Sequence, residues 1–403
     1  MSNYSPLEVT FIKGDGCWLT DTKGGQYLDA LSGIGVVNLG HCHPVITKNL
    51  VDQSQQLLHT SNVYRIGNQE ELAQQLCNLA NMDKVFFSNS GAEANEAAIK
   101  IARLYARSKN IEKPIILTAN QGFHGRTMAT LSATGQSKVQ AGFSPLMSEF
   151  IHVNYDDIDA INYYKNNSDV VAVMVEPIQG EAGVNVPDPD YLKNVRLLCS
   201  KYNVLMIADE IQTGLGRTGS LLASCGNCNC KSSCEQQSTY VRPDILILAK
   251  ALSGGTYPIS AVLCDSEIME VIQPGQHGST FGGNPFAASI AKKALEIIID
   301  ENLSQNARNL GQIFRSEINK FIETSSLVNL VRGKGLLNAI VINDSPDSKT
   351  AWNICLRLRD NGLLAKPTHG NVIRFAPPLV MTEDQLHDCI GIITSTINEF
   401  EPK

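Results

Sequence analysis

The stretch RPDILILAKALSGGTYPIS occupies residues 242–260. Five apolar residues, 245–249, run directly into Lys250, and a Ser-Gly-Gly turn follows. A short unbroken run rich in isoleucine and leucine suits a strand covered on both faces, as in a parallel sheet. An ammonium at the end of such a strand is costly when dry and unpaired. Lys250 therefore either escapes to water or is held there because its nitrogen does chemistry.

Similar runs recur outward from this one: VFF (85–87), PIILTA (114–119), VAVMVEP (171–177), VLMIADE (204–210) and ISAVLC (259–264). Segments between them, such as 91–109, carry apolar residues at helical spacing. Strand–helix–strand alternation predicts an α/β domain built on a mainly parallel sheet. After about residue 300 the pattern changes. Long amphipathic helices alternate with the strand patterns VRGKGLLNAIVI and NVIRFAPP, and TEDQ at 382–385 reads as a capping box. This predicts a smaller α+β domain, against which the Gly- and turn-rich first forty-odd residues pack. The expected division is 46–295 for the large domain, 1–45 with 296–403 for a discontinuous small domain, and 225–240 as a Cys-rich insertion loop.

The chain has 403 residues, room for two or three units of roughly 150 residues each. Its net charge, 33 − 40 = −7, supplies no broad basic field for nucleic acid or an anionic membrane, so neither is an expected partner. The start, MSNYSPLEVTF, lacks a basic segment followed by an apolar one, and Val170–Val175 is far too short to span a bilayer. The expected location is cytoplasmic. Eleven cysteines in such a chain are expected to be mostly reduced thiols.

Ligands of open α/β sheets sit beyond the carboxyl ends of the strands. Here those ends carry Lys250, Asp209 and Glu176, and the run 85–87 leads into SNSGAEAN, which opens a helix near Gly91. A helix start presents free N–H groups to an anion. A buried aspartate needs a strong donor or cation, and a buried lysine can act as a nucleophile. Pyridoxal phosphate uses all three through its phosphate, its pyridinium nitrogen and its aldehyde. Taken singly each feature has an ordinary explanation: a helix cap, a satisfied carboxylate, a lysine that reaches water. A dinucleotide-binding module is the rival from another class, but no G-x-G-x-x-G follows a strand and opens a helix.

The stretches GHCHP, SGAEANEAAIK, FHGRT, VEPIQGEAGV, IADEIQTGLGRTG, LAKALSGG, HGSTFGGNP and VIRFAPPL together resemble the class III, fold-type-I pyridoxal-phosphate aminotransferases, in the branch of the acetylornithine and ornithine aminotransferases. The similarity covers nearly the whole chain except 225–240. It implies a large domain with a mainly parallel seven-stranded sheet flanked by helices, a smaller α+β domain, and a homodimer with shared active sites. By the same resemblance, Lys250 carries the cofactor as a Schiff base and shuttles protons, and Asp209 partners the pyridine nitrogen. Gln212 hydrogen-bonds the ring hydroxyl, Phe123 and Ile211 sandwich the ring, and Ser90, Gly91 and Ala92 hold the phosphate. Thr280 reaches the phosphate of the neighbouring subunit.

The implied reaction sets a charge problem. The amine donor has no carboxylate on its reacting carbon, whereas 2-oxoglutarate does. Arginine suits bidentate carboxylate binding. The resemblance assigns Arg374 to the α-carboxylate of the keto acid, Glu181 to masking Arg374 when no carboxylate is there, and Arg126 to the distal carboxylate. Outside these motifs, either arginine would read as a surface ion pair of little worth. Ornithine aminotransferases carry a tyrosine in SxYSAVNxGHxHP, and here that place holds Ile34; Tyr64 lines the same channel or packs. Losing a phenol favours an N-acylated donor. The expected reaction is transfer from N-acetylornithine to 2-oxoglutarate, giving N-acetylglutamate semialdehyde and glutamate, as in arginine biosynthesis. Free ornithine is the alternative, since residues 242–264 lean toward the ornithine enzymes.

Four thiols, Cys225, Cys228, Cys230 and Cys234, interrupt the family pattern with C-x₂-C-x-C-x₃-C spacing. They read either as a polar surface loop or as a tetrahedral zinc or redox-sensing site. A related pyridoxal mutase or decarboxylase, and a non-catalytic metal- or redox-sensing protein on this scaffold, are the remaining alternatives.

Overall fold

A computed structural model describes residues 3–225 and 241–401. A seven-stranded sheet runs in the order Lys84–Ser88, Ser260–Cys264, Ile245–Leu248, Leu205–Asp209, Val170–Val175, Ile115–Ala119, Phe150–Val153. Only Ser260–Cys264 runs against its neighbours; the other pairings are parallel. The four strands from Ser260–Cys264 to Val170–Val175 are buried at every position, which is why their sequences do not alternate. Phe150–Val153 has no counterpart among the six apolar runs. It is an edge strand, buried only at Phe150 and Val153, and its His152 shares a 2.8 Å hydrogen bond with the Thr118 hydroxyl.

Helix Gly91–Ser108 begins where the sequence predicted, with Ser90 as its cap accepting from the Glu93 N–H. Its buried face is mostly alanine: Ala94, Ala97, Ala98 and Ala102. Small side chains let it lie close on the sheet, so its N-terminus ends beside the strand ends.

Toward the C-terminus, Val328–Lys334 and Leu337–Ile342 form a hairpin, joined by Val372–Phe375 and Lys366–Thr368 in a second, antiparallel sheet. Helix Glu383–Asn398 opens on the predicted box, Thr382 and Gln385 exchanging side-chain and backbone bonds. The first strands, Phe11–Asp15, Trp18–Asp21 and Gln26–Asp29, pair with Leu363–Leu364 in a third sheet, parallel at Leu28↔Leu363. Chain start and C-terminal segment are thus one hydrogen-bonded unit.

Lys250 departs from the sequence reading. Strand Ile245–Leu248 ends two residues before it. Ala249 is extended, and Lys250 itself has φ +47°, opening the turn Lys250–Ser253. A left-handed non-glycine residue is uncommon, and strained backbone of this kind clusters at active sites and ligand clamps. Of the cysteine cluster, Cys228, Cys230 and Cys234 lie outside the described residues, and Cys225 is buried at the end of the turn Ala223–Cys225. Among the described residues no group of His, Cys, Asp or Glu is placed to hold a metal ion; the zinc reading falls on cysteines most of which lie outside them. No described helix is long and apolar enough to cross a membrane.

Candidate active site

A cavity of about 310 Å³ opens beside Lys250, walled by Val36, Ser90, Gly91, Thr256 and Tyr257 among others. Among the described residues the Lys250 ammonium has no hydrogen-bond or ion-pair partner. Burial pushes it down from 10.5 to about 8; Arg374 adds to this, while Glu181, Glu176 and Asp209 resist it. An amine that is half-buried, unpartnered among the described residues and lowered toward neutrality is available to react.

Asp209 ends its strand and is buried. Its Oδ2 accepts from Asn95 Nδ2 at 2.9 Å and from His124 Nδ1 at 2.8 Å, and its Oδ1 from the Ile211 N–H at 3.1 Å. Burial alone would strip His124 of a proton, but the hydrogen bond and charge of Asp209 outweigh it and raise the imidazole. His124 and Asn95 were not singled out in the sequence; their only signals were a histidine following Phe123 and an asparagine four residues into the helix. Glu176 accepts the Phe123 N–H at 3.0 Å, and burial among other acids raises its carboxyl to about 8.

The phosphate-type corner is the turn into Gly91–Ser108. The Ser90 hydroxyl accepts the Glu93 N–H at 3.2 Å and donates to the Glu93 carboxylate at 3.1 Å. Gly91 and Ala92 are first-turn residues, whose N–H groups have no intrahelical acceptor. A Cβ on Gly91 would stand 2.8 Å from Ile211 Cδ1, so only glycine lets Ile211 lie this close.

Across the site Arg374 is buried, 1 % exposed. One guanidinium nitrogen donates to Glu181 at 2.7 Å, to the Gly180 carbonyl at 3.2 Å and to Gln212 Oε1 at 3.3 Å. Among the described residues its Nε and second terminal nitrogen are buried without a partner. Gln212 also donates to Glu181 at 3.1 Å, so it bridges the acid and the arginine rather than standing apart for a ring hydroxyl alone. Burial pushes Glu181 up, but Arg374, Lys250 and these hydrogen bonds bring it down to about 2.

The other predicted residues lie further out. Arg126 is exposed, its guanidinium 5.5 Å from the centre of the Phe123 ring. Thr280 and Tyr64 are exposed. Ile34 sits in a left-handed run with Ser32, Gly33 and Gly35, at φ +68°. A β-branched residue there is a true outlier, costing about 1–2 kcal/mol. The run is held by Ser32 Oγ donating to the Ala376 carbonyl at 2.5 Å, two residues beyond Arg374.

These residues fit pyridoxal phosphate: an amine and a glycine-opened helix start line one cavity, and a fixed buried carboxylate lies within electrostatic reach of that amine. Lys250, Asp209, and Ser90 with Gly91 and Ala92 would hold its aldehyde, its ring nitrogen and its phosphate.

The comparisons agree with the geometry. The family model described as Aminotransferase class-III matches residues 1–397. The chain is 48% identical to the mitochondrial ornithine aminotransferase of Drosophila melanogaster, covering 98% of this chain and 88% of that one. It is 43% identical to the acetylornithine aminotransferase of Nitrosomonas europaea, covering 99% and 98%. Among solved structures, the acetylornithine aminotransferase of Elizabethkingia anophelis is 48% identical with TM-score 0.87, covering 99% and 96%. The ornithine aminotransferase of Toxoplasma gondii is 38% identical with TM-score 0.93, covering 99% and 92%. The chain belongs to the class III aminotransferases, which are pyridoxal-phosphate-dependent transaminases, and within them to the ornithine/acetylornithine aminotransferase group.

Proposed function

We propose that this enzyme moves the terminal amino group of N-acetylornithine to 2-oxoglutarate, giving N-acetylglutamate semialdehyde and glutamate. The observation that carries the reading is the state of Arg374: buried, neutralised by Glu181 through one nitrogen, with two nitrogens unpartnered. Such a guanidinium serves two half-reactions. A donor with no carboxylate on its reacting carbon leaves Glu181 in place. The carboxylate of 2-oxoglutarate takes over from Glu181 and fills the open nitrogens, which keeps the buried cation paired throughout.

Bound pyridoxal phosphate supplies an electron sink that makes the proton on the reacting carbon acidic. Asp209, fixed by Asn95, His124 and the Ile211 N–H, would keep a proton on the ring nitrogen. Lys250, titrating near 8, would take the proton at the reacting carbon and return it, since a shuttle works best close to its own midpoint. Arg126, over the Phe123 face, would hold the distal carboxylate. The exposure of Thr280 and Tyr64 suits a homodimer in which each copy completes the other's site.

For the donor, Ile34 puts an apolar side chain where a hydroxyl would greet a free α-amino group, which favours the acetylated amine. Free ornithine is the second reading, supported by the relatives at 48% identity named ornithine aminotransferases. Turnover of each amine with and without 2-oxoglutarate tests both. N-acetylornithine is expected to give the higher kcat/KM, with strict keto-acid dependence. Preference for free ornithine overturns the donor, and turnover without keto acid overturns transamination.

A further inference from the structure

The loop 276–283, which carries Thr280, meets helix Gly91–Ser108 away from the residues described above. There Lys100 Nζ lies 2.8 Å from His277 Nδ1 and 3.4 Å from the Gln276 carbonyl oxygen. An ammonium only donates, so His277 Nδ1 is the acceptor and its proton sits on Nε2. The same ring packs on Phe86, with centroids 4.8 Å apart and planes 33° apart.

These partners are the parts of one corner. Phe86 is in strand Lys84–Ser88, which feeds the turn at Ser90. Lys100 is in the helix which that turn opens. The loop touches the turn again where Asn89 Nδ2 donates to Ser279 Oγ at 3.2 Å, and the Gly282 N–H donates to the same oxygen at 2.9 Å. One imidazole therefore ties together the strand that leads into the Ser90–Gly91–Ala92 turn, the helix that leaves it, at a point nine residues along, and the loop that touches the turn at Asn89.

We propose that Lys100 and His277 are positioning residues for the cofactor's phosphate, and that the grip of this corner loosens when His277 gains a proton. The inference rests on the pyridoxal-phosphate reading of the site. Protonation turns the acceptor nitrogen into a donor and sets two cations against each other. The charged groups facing His277 are Lys100 and Glu96, both from the helix; the strand contributes only the Phe86 ring. Burial and then Lys100 hold the imidazole below its ordinary 6.5, and Glu96, which also accepts from the Thr127 hydroxyl, only partly offsets them. A depressed histidine contributes fully above the unfolded value of 6.5, and that contribution is lost as pH falls below it.

The test compares the dissociation constants of pyridoxal phosphate and of pyridoxal, which lacks the phosphate. Both are read by cofactor absorbance on the full-length protein from pH 5 to 8. The ratio of the pyridoxal constant to the pyridoxal phosphate constant isolates the phosphate's share. In the parent this ratio is expected to fall about tenfold more between pH 7.5 and 5.5 than in His277→Asn, which keeps an acceptor but cannot titrate. Comparison with that variant also removes the phosphate's own ionisation. Lys100→Met should lower the ratio at pH 7.5, and Lys100→Arg, still a donor, should restore it. Melting curves of the ligand-free variants establish that each is folded. A parent ratio that tracks His277→Asn at every pH, or a Lys100→Met ratio equal to the parent's, overturns the inference and leaves the cofactor reading standing. Failure of the parent to take up pyridoxal phosphate at all overturns both.

Discussion

Glu181→Gln keeps the side chain's shape and removes the charge that faces Arg374. Its ionised form is favoured strongly: the carboxyl sits at about 2 where a glutamate ordinarily sits at 4.5. At roughly 1.4 kcal/mol per tenfold, that gap corresponds to about 3 kcal/mol. A substrate carboxylate seeking Arg374 must first displace this mask. The variant should therefore bind 2-oxoglutarate more tightly, with a limit of about 100-fold for 3 kcal/mol. The amine half-reaction should slow, because an uncompensated buried cation then lies beside an uncharged carbon. Stability should also fall by about 3 kcal/mol at pH 7. A depressed carboxyl contributes fully above 4.5 and loses its contribution as pH falls from there toward 2, so parent and variant should converge in acid. Rapid mixing of the yellow enzyme with amine, and of the aminated enzyme with 2-oxoglutarate, reads the two half-reactions separately. An unchanged apparent affinity for 2-oxoglutarate together with an unchanged amine rate would refute the masking argument.

Lys250→Met in ligand-free protein should be more stable than the parent at pH 7, by up to about 3 kcal/mol, because the parent holds a cation that burial lowers from 10.5 to about 8. As pH rises the unfolded lysine loses its proton last, so the gain should shrink between 8 and 10.5 and vanish above; denaturant midpoints across that range check it. Gly180→Ala places a Cβ 1.5 Å from Gln212 Oε1, so Gln212 must leave Glu181 and Arg374. Glu181 then loses a donor that holds it as the mask and Arg374 loses an acceptor, so KM for 2-oxoglutarate should fall, by up to about tenfold, with little change in melting temperature, one hydrogen-bonded group being worth about 1–2 kcal/mol; an unchanged KM refutes the role given to Gln212.

Local pattern is enough to read the strands buried on both faces, because each position there is apolar whatever its register, as in Val170–Val175. It is enough, too, to place Asp209 at a strand end, to open a helix at Gly91, and to find the Thr382–Gln385 box, since all three depend on neighbours within a few residues. Phe150–Val153 escaped because it is only four residues long and His152 interrupts its apolar run. What local pattern cannot carry is separation. Arg374 and Glu181 stand 193 positions apart, His124 and Asp209 85, Lys100 and His277 177. Such pairs form only once strands from distant parts of the chain are laid side by side. Nor does the chain's order reveal that Lys250 turns left-handed past its strand, or that two nitrogens of Arg374 are left open. Residue chemistry is written locally; the charges it meets are set by packing, and packing decides which groups are free to react.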